Sequence, residues 1–384
     1  MFIPSKRSVA RVAAIAALAA AAASAQAQPA GVNAQRVLIG QSTPLTGVNA
    51  ELGNDIRNGA LAYFHKVNEA GGVHGRKVEL ASLDDDNKVP RAEENTKKLV
   101  EEQGVFALFG YASATLSRPA LPFVEKHKVP FLAPFTGADP MRVFHKYVYN
   151  MRGSYAEELE KIVDHFAPLG VKRFSIVHYD DVVGKENFTA VERALKKRGL
   201  QAVSVAAFKD RAKPDIENGV KQIAAGQPDV VILTTLYKAT ADFVRVAQKT
   251  GLGAQMASNS FPGASPLAKE LGKQGEGFIV ATVVPPPTKR SLPIVKEYQQ
   301  AIELQTGKKE FSFTSLESYI GAKVLVEALK RAGPKPTREG FMQALDSIKD
   351  FDVGGYTVTF APDNHNGSSF VELTVIGEGH KFNY

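Results

Sequence analysis

From Val37 onward, short apolar runs alternate with stretches of helical periodicity. Val37-Leu38-Ile39 reads as a strand, and Ile56, Ala60, Leu61, Phe64 and Val67 then recur at the spacing of a helix that stops at Gly71-Gly72. After a short hairpin signal the pattern predicts strands over 78–83, 106–109 and 129–133, with helices over 91–103 and 119–127 between them. The rhythm restarts near Arg173, with strands over 174–178, 202–208, 230–236 and near Met256, and helices over 187–198, 216–225 and 241–250. Strands separated by helices of this length form parallel pairs with right-handed crossovers, so each set predicts a doubly wound α/β sheet. Two such units of similar size suggest two lobes facing each other across a cleft, where ligand sites tend to lie. After an apolar run over 278–284, Pro285-Pro286-Pro287 is an extended break without backbone donors. Helices follow over 294–306, 316–332 and 338–348, and the segment 356–384 reads as a strand pair turning around 363–367.

Composition narrows the chemistry. The 384 residues are 44% hydrophobic and 23% charged, which is ordinary for a globular chain and excludes disordered or collagen-like classes. The absence of cysteine rules out disulfides, a thiol nucleophile, thiolate metal sites and lipidation at an N-terminal cysteine. Lys6, Arg7 and Arg11 precede an apolar run from Val12 to Ala23, followed by the small-x-small pattern Ala25-Gln26-Ala27. This predicts a secretory leader over 1–27, cleaved to release an exported protein. Setting aside its three cations lowers the formal net charge of +7 to +4, with the remaining charges interleaved, so charge alone points to no nucleic acid or other acidic partner.

Phosphate-loop, dinucleotide, zinc-protease and nucleophile-elbow motifs are all missing. Asp84-Asp85-Asp86-Asn87 lacks the glycine and distal glutamate of a calcium loop and reads as the end of a strand, capping the next helix. No cofactor, metal or catalytic residue is expected. Candidate chemistry lies instead in small-residue turns at the carboxyl ends of the first strands. Pro44-Leu45-Thr46-Gly47 is one, Gly110-Tyr111-Ala112-Ser113-Ala114-Thr115 another, and Phe135-Thr136-Gly137 a third. Such turns offer backbone N–H groups and hydroxyls to an anion, and for the Ser113 turn taken alone an ordinary Ser/Thr helix cap is the equally weighted alternative.

Asn68-Glu69-Ala70-Gly71-Gly72-Val73-His74-Gly75-Arg76, following Pro44-Leu45-Thr46-Gly47 at this spacing, resembles the signature of type I periplasmic solute-binding proteins of the branched-chain amino-acid (leucine/isoleucine/valine) ABC-transporter family. The likeness continues through Asp84-Asp85, Leu99-Val100, the Ser113 turn, Val129-Pro130 and Leu316-Glu317-Ser318-Tyr319. It implies two doubly wound parallel-sheet lobes joined by a three-crossover hinge, one over 36–152 plus 284–355 and the other over 153–283 plus 356–384. It further implies a monomer that captures an amino acid or related small carboxylate by closing, then docks on an inner-membrane ABC permease. Ser113, Ala114 and Thr115 would hold the anionic group, Phe135, Thr136 and Gly137 would add contacts, and Tyr155, Tyr237 and Ser260 would close from the second lobe. Ser260 stands where the family places an acidic residue, Val183 where it places a tyrosine, and Leu52 at its large apolar contact. A solute without an amine therefore competes with an amino acid as the ligand, since a buried ammonium needs acceptors. Tyr111, Phe135, Tyr155, Tyr237 and Phe261 are candidates for an aromatic wall. Arg152, near the first crossover, pairs either with an anion or in a lobe-bridging salt bridge. The rival readings are a ligand-sensing receptor feeding a signalling partner and a secreted hydrolase.

Overall fold

The structure is a computed structural model that describes residues 30–47 and 49–383; the expected leader lies outside the described residues. The first sheet has five strands in the order β2-β1-β3-β4-β5, all parallel: β1 is Arg36–Thr43, β2 Lys77–Asp84, β3 Ala107–Phe109, β4 Phe131–Leu132 and β5 Val148–Tyr149. Its central strands are apolar without alternation because helices cover both faces. The register sets Thr43 level with Asp84, which gathers the following turns at one edge.

The second sheet is built on five further parallel strands: β6 is Phe174–Tyr179, β7 Ala202–Phe208, β8 Val230–Thr234, β9 Gln255–Ser258 and β10 Ile279–Thr282. Strand β7 and the Ile216–Ala225 helix lie where the sequence pattern places them. From β10 the chain returns to the first sheet. The nearly wholly buried Phe313–Arg331 helix packs there on the Ala50–Glu69 helix, close enough that a Cβ built on Gly59 would stand 2.1 Å from the Ser315 carbonyl. The Ser318 hydroxyl donates to the Ile56 carbonyl at 2.6 Å across the same contact.

A small hairpin follows, β11 (Phe351–Asp352) with β12 (Thr357–Val358). The chain then crosses a third time. Strand β13 (Glu372–Ile376) pairs antiparallel with β10, and β14 (Phe382–Asn383) pairs with β13. The strand pair expected around 363–367 therefore does not form. That turn docks on the end of the first sheet, where Asn150 N–H donates to the His365 carbonyl and Gly367 N–H to the Asn150 carbonyl, each at 2.8 Å. The apolar strand finds a better partner in β10, whose edge would otherwise lie open.

Two helix starts matter for the site. Ser154 and Glu157 form a reciprocal capping box at the Tyr155–Phe166 helix, with bonds of 3.0 and 2.7 Å. Asp181 caps the Val182–Lys197 helix by accepting from Gly184 N–H at 3.0 Å.

Candidate functional site

The turns after β3 and β4 are laced together. Ala112 bridges to Phe135, Ser113 N–H donates to the Phe135 carbonyl at 3.1 Å, and Phe135 N–H donates to the Tyr111 carbonyl at 2.8 Å. Ser113 takes a left-handed backbone with φ 62°, a conformation that costs a non-glycine residue about 1 kcal/mol or more and that the pairing with Phe135 imposes. Ser113 is half-buried, Ala114 buried and Thr115 exposed. In the second turn the fully buried Thr136 accepts from Ala138 N–H at 3.1 Å. The Gly137 carbonyl accepts from Tyr155 N–H at 2.9 Å, and any Cβ at Gly137 would press to 2.8 Å on the Tyr155 ring. Glycine is required here because Tyr155 occupies the space.

Asp84 anchors the turn after β1, accepting from Leu45 N–H at 2.8 Å and from the Thr46 hydroxyl at 2.5 Å. These carboxylates brace a loop at the sheet edge rather than cap the helix expected to follow.

Phe135, Tyr155 and Ser260 meet around Arg152, a wholly buried guanidinium. Its Cζ lies 5.0 Å from the Phe135 ring centroid and 5.6 Å from that of Tyr155. Nη2 donates to the Ser260 hydroxyl and stands 3.6 Å from Glu158, while Nη1 stands 3.6 Å from Glu317. Ser260 in turn gives Glu158 two hydrogen bonds, from its N–H at 2.5 Å and its hydroxyl at 2.8 Å. Of the two roles open to Arg152, the structure shows the salt bridge. Burial pushes the Glu158 and Glu317 carboxyls up to about 7 against the pull of Arg152.

Tyr237 is buried at the start of the Tyr237–Lys249 helix. Leu52 belongs to an apolar cluster with Ile56, Ala112 and Leu116, against which Phe135 packs. Tyr111 leaves the expected aromatic wall: it is a core residue, its ring 5.0 Å from Phe131 and its hydroxyl 3.1 Å from that of Thr96. Phe261 stays near the wall, edge-on to Tyr155 at 5.7 Å.

Between the turns of the two sheets lies a cavity of about 630 Å³. Thr115 and Arg118 line it from the first sheet's side, and Asp181, Val183 and Arg211 from the second's. Of the residues expected from the sequence to hold the solute, Thr115 reaches this lining, joined by Val183 at the position where the family places a tyrosine. Arg118, Arg211, Asp181, Glu158 and Glu317 were not foreseen as site residues. Arg118, one helical turn beyond Thr115, was within reach of the sequence; Glu158 carries no motif, since it stands off helical spacing from Arg152 and its other partner, Ser260, lies far along the chain.

Two α/β lobes joined by three crossings, with a ligand-sized cavity between their turns, define a hinged solute-binding protein. The model of the periplasmic binding protein family matches residues 36–380, and the chain belongs to that family. It is 25% identical over 314 residues to Leu/Ile/Val-binding protein homolog 1 of Brucella melitensis, covering 79% of this chain and 80% of that one. An amino acid binding protein of Pseudomonas aeruginosa is 25% identical over 240 residues, 62% of this chain and just 63% of that relative. Among solved structures, a substrate-binding periplasmic protein from Ralstonia solanacearum superposes with a TM-score of 0.83 at 30% identity, covering 89% of this chain and 98% of that one. A possible leucine/isoleucine/valine-binding protein from Rhodopirellula baltica gives 0.85 at 29% identity, covering 94% and 98%. No helix among the described residues is long and apolar enough to cross a membrane.

Proposed function

We propose that the protein is the periplasmic solute-binding component of an ABC importer, a monomer that captures an amino acid or related small carboxylate and performs no covalent chemistry. The observation that carries this reading is the cavity of about 630 Å³ walled by turns from both sheets, a size suited to one small solute. The relatives' names, Leu/Ile/Val-binding and amino acid binding, support the solute class. The lobes are built on the two sheets, and closure about the crossings is driven by a solute that touches both, since only differential contact with the closed form shifts the population.

In this reading the Ser113–Thr115 turn holds the anionic group, with Thr115 in direct contact. Phe135, Thr136, Gly137, Tyr155 and Ser260 fix the hinge side of the cleft, and Tyr237 closes from the second lobe. A thermal-shift screen tests the reading with leucine, phenylalanine, their deaminated acids, dicarboxylates and short amides. A solute at one hundred times its dissociation constant adds about 2.7 kcal/mol of stability. A shift with at least one of them is expected; a flat response to the whole panel overturns the reading.

A further inference from the structure

Two arginines line the cavity from opposite sides, and neither belongs to the Arg152 cluster. Arg211 is held in place on the second lobe. Its Nε–H donates to Asp181 at 2.6 Å, and its guanidinium lies 4.7 Å over the Tyr179 ring and 5.8 Å from that of Phe261. A guanidinium carries five N–H donors. The bond to Asp181 uses one, and the terminal nitrogens of Arg211 have no hydrogen-bond partner among the described residues. Arg118, exposed and one helical turn beyond Thr115, forms neither a salt bridge nor a side-chain hydrogen bond among them. Closing the lobes brings both cations onto one cavity, which is repulsive unless an anion lies between them.

The same lining offers little to an ammonium group. Its one carboxylate, Asp181, is engaged by Arg211 through Oδ2 and by Gly184 N–H through Oδ1. Glu186 stands outside the lining and acts on Arg118 only through its charge. Burial pushes the Glu186 carboxyl up to about 7, so it opposes Arg118 with a partial charge near neutral pH. Beyond the Thr115 hydroxyl, the rest of the wall is apolar, from Val89, Pro119, Leu121, Pro122, Val182 and Val183.

We infer that the solute is an amine-free organic acid with an apolar body, its acid group held between Arg118 of one lobe and Arg211 of the other. This rests on the solute-receptor reading and narrows it. Bidentate guanidinium contacts hold a carboxylate more strongly than neutral hydroxyls do, and an anion shared by two lobes favours the closed form over the open one.

Titration calorimetry on the mature protein, dialysed free of carried-over solute, tests the inference. The probes are 4-methylpentanoate and 3-phenylpropanoate, their uncharged amides, and leucine and phenylalanine. Binding of the acids is expected, with each amide about tenfold weaker or more, because a charge-assisted bond is lost. Arg118→Gln and Arg211→Gln should each weaken acid binding by a similar factor and weaken amide binding less, so that the preference for acid over amide shrinks. The exposed position of Arg118 keeps that variant free of folding effects, so it decides the matter if Arg211→Gln, which also strips Asp181 of its partner, fails to fold. Amino acids binding more tightly than the acids, amides binding as tightly as acids, or an Arg118→Gln protein with wild-type acid affinity would each overturn the inference while leaving a solute receptor. Binding of none of the six probes also overturns it, and the broader thermal-shift panel then decides the receptor reading separately.

Discussion

Arg152 and Glu317 approach to 3.6 Å with side chains only 1% and 9% exposed. Because the same guanidinium stands 3.6 Å from Glu158, it ties the Tyr155–Phe166 helix of the second lobe to the Phe313–Arg331 helix of the first. Removing one member of a buried ionic cluster leaves the others uncompensated. Arg152→Met should therefore lower the unfolding free energy by about 3–5 kcal/mol in urea titrations. A loss below about 1 kcal/mol would mean that the cluster does not hold the lobes together.

The cluster's surplus carboxylate makes stability depend on pH in an unusual direction. Glu317 has a folded-state value of about 7, above its ordinary 4.5, so between these limits the folded protein binds more protons than the unfolded chain. Its contribution is favourable below about pH 4.5 and fades as pH rises through 7. Glu317→Gln removes this pH-dependent contribution and leaves Glu158 as the carboxylate beside Arg152. The variant should gain about 2 kcal/mol over wild type at pH 8, an advantage that vanishes by about pH 4.5. Equal stability differences at both pH values would contradict the assignment.

Gly59 marks the closest approach of two buried helices. A methyl group there would meet the Ser315 carbonyl at 2.1 Å and force the helices apart. Although alanine is the better helix former, Gly59→Ala should destabilise the protein by about 1–3 kcal/mol in thermal or denaturant unfolding. A stabilised variant would show that this contact adjusts freely.

Thr115 is exposed on the cavity wall, so its substitution should affect binding alone. Thr115→Ala is expected to weaken solute affinity about three- to tenfold in calorimetry, as loss of one hydrogen bond does. Tyr237→Phe should act similarly without the packing defect that alanine would leave at a buried aromatic. Unchanged affinity in both variants would remove these residues from the site.

The alternation of apolar runs and helical periods made most of both sheets legible, because parallel strands buried on two faces leave near-continuous apolar stretches. What escaped was short or nonlocal. Strand β5 is two residues long, and its pairing with β4 has no signature of its own. The Tyr155–Phe166 helix was legible in principle, since Ser154-x-x-Glu157 is a capping box, but it lies in the gap between two stronger rhythms. The tail failed for a different reason: periodicity identified a strand near β13 but not its partner, which is set by the open edge of β10. The site turns were visible as turns. Arg152 was visible as a charge, whereas Glu317 joins it only through tertiary packing across the crossings, and Glu158 only once the Tyr155–Phe166 helix is in place.

The three crossings also determine the order in which the protein can become stable. Every strand of the first sheet lies within residues 36–149, yet the Phe313–Arg331 helix that packs against its Ala50–Glu69 helix follows all the parallel strands of the second sheet. The second sheet waits longer still, because its edge is closed by β13 and β14, which follow that helix in the chain. Neither half can bury its apolar surface from its own contiguous segment. A nascent chain stays uncommitted until most of it has been made, so a late truncation harms both lobes, and early and late segments complete the fold together.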